Sequence, residues 1–189
     1  MFADPQELLD SWQAFLPVVR CKAGEEWQVW PCCSSPVAVK VHWFRRRTVP
    51  CVAAVGTCPA CVTPSRPLVF LGCALGRPGP NAMQWTPPRV LEVPVSAWAE
   101  IKCQMGKFAS LAAMRFRVFR HGGRRGRVFV DQFEHTEPID GLSVREIVAA
   151  LCRLWSVPAP RVGELDSEWL TRVGVSVSCD GHYSPSSKG

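Results

Sequence analysis

The sequence predicts a β-rich α+β fold, a five-stranded barrel-like sheet with a metal-binding insertion and flanking helices. Three observations predict it. Five segments between residues 37 and 133 alternate apolar and polar side chains or run apolar for the length of a strand. A helical period separates the third of them from the fourth. A cysteine-rich stretch without any period separates the first from the second, so something other than apolar burial must order it. At 189 residues one core with extensions suffices. The 47% hydrophobic content, with eight Trp and nine Phe, excludes wholesale disorder.

In chain order, Asp4, Pro5 and Glu7 mark a helix start, and Leu8, Leu9, Trp12 and Leu16 share one face until Pro17. Residues 1 to 30 are therefore expected to be a helix and linker. Residues 37 to 44 (VAVKVHWF) put Val37, Val39, Val41 and Trp43 on one side, so Trp43 is expected in the core, with a base-stacking platform as its alternative role. Residues 45 to 67 are rich in Arg, Pro, Cys and Gly and read as a loop. Residues 68 to 75 and 89 to 95 are the second and third strands, with Pro94 placing the third at a sheet edge. Ser96 starts a helix in which Trp98, Ile101, Met105, Phe108 and Ala112 keep helical spacing. Residues 113 to 120 and 127 to 133, joined by HGGRRG, form a hairpin. Five strands with a helix between the third and fourth follow the order of the OB-fold, and residues 31 to 135 are assigned to such a domain.

Beyond it, residues 136 to 174 form a helical extension. Ser143 and Glu146 make a capping box ahead of Ile147, Val148, Leu151, Leu154 and Trp155, and a last short helix is expected from Ser167 to Val173. Residues 175 to 189 read as a flexible tail.

The loop after the first strand carries a metal signature: His42, eight residues, Cys51, six residues, Cys58, two residues, Cys61. Zinc takes four such ligands in a tetrahedron, and a Cys-x2-Cys turn presents two thiolates at compatible spacing. With four protein ligands no position is left for water, so the expected Zn2+ is structural. Vicinal Cys32 and Cys33 are alternative ligands for Cys51 or His42. Cys73, Cys103 and Cys152 fall in apolar stretches and are expected in the core. The first residues have no basic n-region or apolar h-region, and no apolar run is long enough to span a membrane. A cytoplasmic setting follows, in which ten cysteines read as reduced thiols.

The net charge of +6 conceals an asymmetry. Residues 31 to 130 carry fifteen basic and two acidic side chains, whereas both flanks are net acidic. Such a segment calls for a polyanion, and its preference for Arg suits phosphate contact and base stacking. Residues 101 to 130 alone hold eight basic residues and no acidic one. Single-strand binders combine a cationic groove with aromatic platforms. The expected contacts are Lys40, Phe44, Arg45, Arg46, Arg47, Trp85, Arg115, Arg117, Phe119, Arg120, Arg124, Arg125 and Arg127.

With the His, Cys, Cys-x2-Cys order inside a candidate OB-fold, the chain resembles the T4-type phage single-stranded DNA-binding proteins over roughly residues 37 to 133. The resemblance implies sequence-tolerant binding of single strands, a role in DNA replication or recombination, and zinc ligands at His42, Cys51, Cys58 and Cys61. The ligand spacings here are shorter, and neither a basic N-terminal cooperativity motif nor an acidic C-terminal tail is present. A nucleoid-associated, phage or mobile-element context would fit.

The expected function is thus non-enzymatic binding of single-stranded nucleic acid, DNA being the expected form, with a structural zinc. The acidic extension is the expected contact for a protein partner. A zinc-stapled adaptor of a nucleoprotein or transposition complex is the alternative. A metal-dependent nuclease using Asp131, Glu134, His135 and Glu137 is the third reading, weakened because alternation splits those side chains between faces.

Overall fold

The computed structural model describes residues 16–51, 57–79, 82–122, 126–139, 141–156 and Glu168. The expected N-terminal helix, the last short helix and the tail lie almost wholly outside them. The strands are β1 (Val18–Arg20), β2 (Glu26–Pro31), β3 (Val37–Phe44), β4 (Arg47–Pro50), β5 (Ser65–Pro78), β6 (Met83–Trp85), β7 (Arg89–Pro94), β8 (Met114–Arg120) and β9 (Val128–His135). The helices are α1 (Val95–Met105) and α2 (Val144–Trp155).

All nine strands belong to one mixed sheet with the path β1-β7-β5-β2-β8-β9, in which β3 joins β5 and carries β4, and β6 pairs the far end of β5. Only β1 and β7 run parallel among the described pairs. The sheet is open. Within the described residues β1 pairs only β7 and β9 pairs only β8, so the five-stranded barrel expected from the sequence is not closed.

The organising strand is β5. Its 14 residues take β3 along Ser65–Phe70 and β2 along Cys73–Gly76, both on the same edge. Between the pairs Pro31↔Cys73 and Val37↔Phe70, β2 and β3 advance six residues while β5 advances three. The extra residues form a corner at 32–36, beyond which the outer edge of the sheet passes from β8 to β4. Two hydrogen bonds tie this corner down: Cys32 N–H donates to Gly72 O (2.9 Å), and Leu142 N–H donates to Cys32 O (2.6 Å).

Burial explains the elements. In β8, Met114, Phe116 and Val118 are buried while Arg115 and Arg117 alternate outward. Phe70, Leu71, Leu91, Ile101, Leu111, Phe116, Ile147 and Leu151 are each under 2% exposed, and side chains of this size stabilise by about 1.5–3 kcal/mol apiece. The helix α1 packs on β5, β7 and β9, and α2 packs on β1, β3, β4 and β5, with Trp155 edge-on to Phe70 at 5.7 Å. The capping box of α2 is formed by Ser143 and Glu146. The helix α1 is shorter than its spacing predicts. It stops at Met105, before Gly106, and Leu111–Ala113 form a separate 3-10 turn into β8.

Candidate metal centre and basic lobe

The strand β3 delivers His42 to its outer end, and β4 returns antiparallel to place Cys51 directly after Pro50. A 3-10 turn over Pro59–Val62 follows Cys58 and brings Cys61 back beside it, with Cys61 N–H donating to Cys58 O at 3.1 Å. The four ligand atoms of His42, Cys51, Cys58 and Cys61 all lie within 4.8 Å of one another. Cys51 Sγ is 3.8 Å from Cys61 Sγ, and Cys61 Sγ is 3.6 Å from His42 Nε2.

These spacings fit a tetrahedral zinc site. With Zn–S near 2.3 Å and Zn–N near 2.05 Å, the edges of the tetrahedron are about 3.8 Å between sulfurs and about 3.6 Å between sulfur and nitrogen. The imidazole is oriented as a ligand, since Nδ1 donates to Thr63 O at 2.8 Å and leaves Nε2 with its lone pair toward the thiols. Desolvation, then the Cys51 and Cys58 thiols, push the thiol of Cys61 up to about 11, although the residue itself is exposed. Crowding by the other two thiols is the firmer cause at so exposed a position, and a divalent cation removes it.

The lobe has its own small core of Cys51, Cys58 and Ala60, packed by Phe44 and Val49 and separate from the main one. Cys32 and Cys33 do not belong to this cluster. They sit at the corner beside Gly72, and His42, Cys51, Cys58 and Cys61 are the only group of metal-ligating side chains brought together among the described residues. Burial raises the thiols of Cys32 and Cys73, and pushes Cys33 up to about 12, as suits protonated core thiols.

The predicted nucleic-acid contacts divide into two sets. Those of the β8–β9 hairpin are engaged within the protein. Arg117 holds Asp131 through two bonds of 2.7 and 2.6 Å, reaches Glu26 at 3.2 Å and lies over Phe119. Arg115 pairs with Glu134 and covers Trp30, and Arg127 pairs with Glu100 and covers Phe129. Arg120 donates to Gly126 O, and Phe119 stacks on Phe129 at 5.5 Å. Trp85 packs edge-on to Trp30 at 5.4 Å and lies over Gly76. Arg124 and Arg125 lie outside the described residues. Asp131 and Glu134 are thus arginine partners, and they form no metal group with His135 and Glu137.

The second set lies on the strands that adjoin the candidate metal centre. Lys40, Arg45, Arg46 and Arg47 are exposed, as is Arg66 on the neighbouring strand, and none has a carboxylate partner among the described residues. The cause is visible in the chain: no Asp or Glu occurs between Glu26 and Glu92. Three thiolates on a divalent cation leave one negative charge, so the five cations keep the lobe about four charges positive. Phe44 is not a free platform, being packed on the lobe core with Arg45 over its ring at 5.3 Å.

Two features escaped the sequence reading. Trp43 is 59% exposed, not buried, although Val37, Val39 and Val41 of the same row are at most 1% exposed. The main core ends at Val41, one step before the strand does. Arg45 and Arg46, the two central residues of the β3–β4 turn, have φ of 49° and 65°. That is the left-handed region, where a two-residue hairpin favours Asn-Gly; their basic charge was legible, their conformation was not.

Comparison with known proteins found no match to any family model, curated protein or solved structure. Among the described residues, no helix is long and apolar enough to cross a membrane.

Proposed function

We propose that the chain is a non-enzymatic nucleic-acid-binding protein whose contact surface is the zinc-stapled lobe formed by β3, β4 and the Cys58–Cys61 turn. The observation that carries this reading is the set of five exposed cations, Lys40, Arg45, Arg46, Arg47 and Arg66, none with a carboxylate partner among the described residues. Elsewhere Arg20, Arg77, Arg115, Arg117 and Arg127 are neutralised by acidic partners. Uncompensated arginines desolvate readily and engage phosphates in pairs of hydrogen bonds. The metal would order the segment between β4 and β5, which adjoins the strands that carry them.

The order of strands supports an OB-like relation: meander β3, β5, β7, then α1, then hairpin β8–β9, with the sheet left open. The unpaired cations favour the outer end of β3 as the binding surface over the hairpin, whose arginines are engaged within the protein.

The test is fluorescence anisotropy of a labelled 20-mer with the zinc-loaded chain at two salt concentrations. Binding is expected to weaken steeply with salt, since each phosphate contact contributes about 0.7 to 0.9 to the logarithmic slope. Arg45→Ala with Arg46→Ala is expected to lower the slope by about 1.5, whereas Arg115→Ala leaves it unchanged. No binding at low salt would refute the reading and favour an adaptor that meets other proteins through the lobe, where Val62 is 80% exposed.

A further inference from the structure

The indole of Trp43 is the largest apolar group left open on the lobe. It lies in β3 on the face of Val37, Val39 and Val41, where sheet alternation calls for burial, yet it is 59% exposed. Its direct cross-strand neighbour on β4 is Thr48, a small side chain that leaves the ring face accessible. On the other flank the β3–β5 ladder ends at His42↔Ser65, so no strand residue stands beside the ring there. Two residues back along the same face, Val41 is opposite Arg66, and just beyond Phe44 the chain turns through Arg45 and Arg46. An open aromatic face is thereby bracketed along the strand by cations before and after it.

The turn points the same way. Two arginines in the left-handed region cost backbone energy that Asn-Gly would not incur. Arg45 lies over the Phe44 ring at 5.3 Å, and no carboxylate among the described residues holds either side chain. What the turn does accomplish is to place two basic residues directly after the strand that carries the ring. We infer that Trp43 is a stacking platform for one unpaired nucleobase, with Arg66 and the Arg45–Arg46 turn taking the phosphates on either side. This rests on the nucleic-acid reading above and deepens it by naming the form: single strand over duplex. A base in a duplex has its faces covered by its neighbours, whereas a strand with splayed bases offers a π-face of any identity to an aromatic ring. The contact would be tolerant of sequence, because stacking reads no base edge.

The experiment uses three labelled probes of equal length: an oligo-dT and the same backbone with abasic sites, which carry equal numbers of phosphates, and a duplex, which carries about twice as many. Affinities are measured for the zinc-loaded full chain and for Trp43→Ala, Trp43→Phe and the Arg45→Ala/Arg46→Ala pair. The native chain is expected to prefer oligo-dT to the abasic strand and to the duplex. Trp43→Ala is expected to lose about 5- to 150-fold on oligo-dT and less than about twofold on the abasic strand. Trp43→Phe keeps a ring and recovers part of the loss. The arginine pair weakens all three probes and lowers their salt slopes, which Trp43→Ala leaves unchanged. Equal zinc content and unchanged melting of the Trp43 variants exclude a folding defect. If Trp43→Ala binds oligo-dT as the native chain does, or loses equally on all three probes, the stacking role is overturned while the lobe remains a nucleic-acid surface. If the native chain binds none of the probes at low salt, it is the underlying reading that fails.

Discussion

Removal of zinc is expected to melt the lobe and leave the rest of the sheet standing, and the structure sets the scale. The described stretch between β4 and β5 comprises Cys51 and residues 57–64, nine residues in all. Fixing their backbones costs about 13 kcal/mol at roughly 1.5 per residue. Burial of Cys51, Cys58 and Ala60 returns only about 4 kcal/mol. The shortfall of about 9 is close to the ~10–16 kcal/mol that structural zinc contributes at neutral pH, and no other interaction of that size is present among the described residues of the lobe. The assay is native-state hydrogen exchange before and after chelation, with metal content measured in parallel. Loss of zinc should expose the Cys61 and Thr63 amides, whose acceptors are Cys58 O and Ala60 O, and the Cys51 amide, bonded to Lys40 O. Amides of β2, β5 beyond Leu68, and β8 should keep their protection, because their ladders belong to the main core. Unchanged protection of Cys61 and Thr63 in the chelated protein would refute the reasoning. So would loss of the metal on replacing Cys32 or Cys33, neither of which belongs to the four-ligand cluster.

Three further outcomes are expected. Replacing Arg45-Arg46 by Asn-Gly should raise stability by about 1–2 kcal/mol through relief of the left-handed strain, while weakening nucleic-acid binding; thermal melting and salt titration read the two effects separately. Gly72→Ala should destabilise by about 1–3 kcal/mol in urea unfolding, because the new methyl would lie 3.0 Å from Leu142 Cβ and 3.2 Å from Cys33 Cβ. Asp131 is held below the ordinary carboxylate range chiefly by its hydrogen bonds from Arg117, so its folded pKa is depressed. Its stabilising contribution is therefore complete above pH ~4 and is lost as the pH falls through the lowered value. Asp131→Asn should differ from the native chain in urea midpoint at pH 7 and converge with it at the acid end.

The metal centre was legible because coordination chemistry writes itself locally: a Cys-x2-Cys turn plus two ligands from one strand and the loop beyond it needs no long-range knowledge. The strands Val37–Phe44 and Met114–Arg120 were legible for the same reason, since alternation reports a half-buried sheet. The strand β4 was not, because RTVP has no apolar period and is paired only through the turn that joins it to β3. The strands β1 and β2 lie in the span read as a linker; β2 alternates, but its Pro31 and the cysteines beyond it obscured the pattern. The hairpin arginines looked available because the residues that occupy them are distant in the chain. Glu26 stands 91 positions from Arg117 and Glu100 stands 27 from Arg127. Trp43 was misplaced because alternation says which side a residue faces, and it does not say how far along the strand the core extends.

The corner at residues 32–36 has a consequence for how the chain is made. The segment before α2 is stitched to it by Leu142 N–H on Cys32 O, and Gly141 lies so near Cys32 that an added Cβ would strike its backbone. That seam is complete only when β2 and β5 are already paired, since Cys32 is itself bonded to Gly72. During synthesis the face carrying Phe70 therefore stays bare until Trp155 has cleared the ribosome. A nascent chain halted before α2 would present an open apolar sheet to its neighbours, and truncations within residues 141–156 should be found with chaperones or in aggregates before any loss of metal is seen.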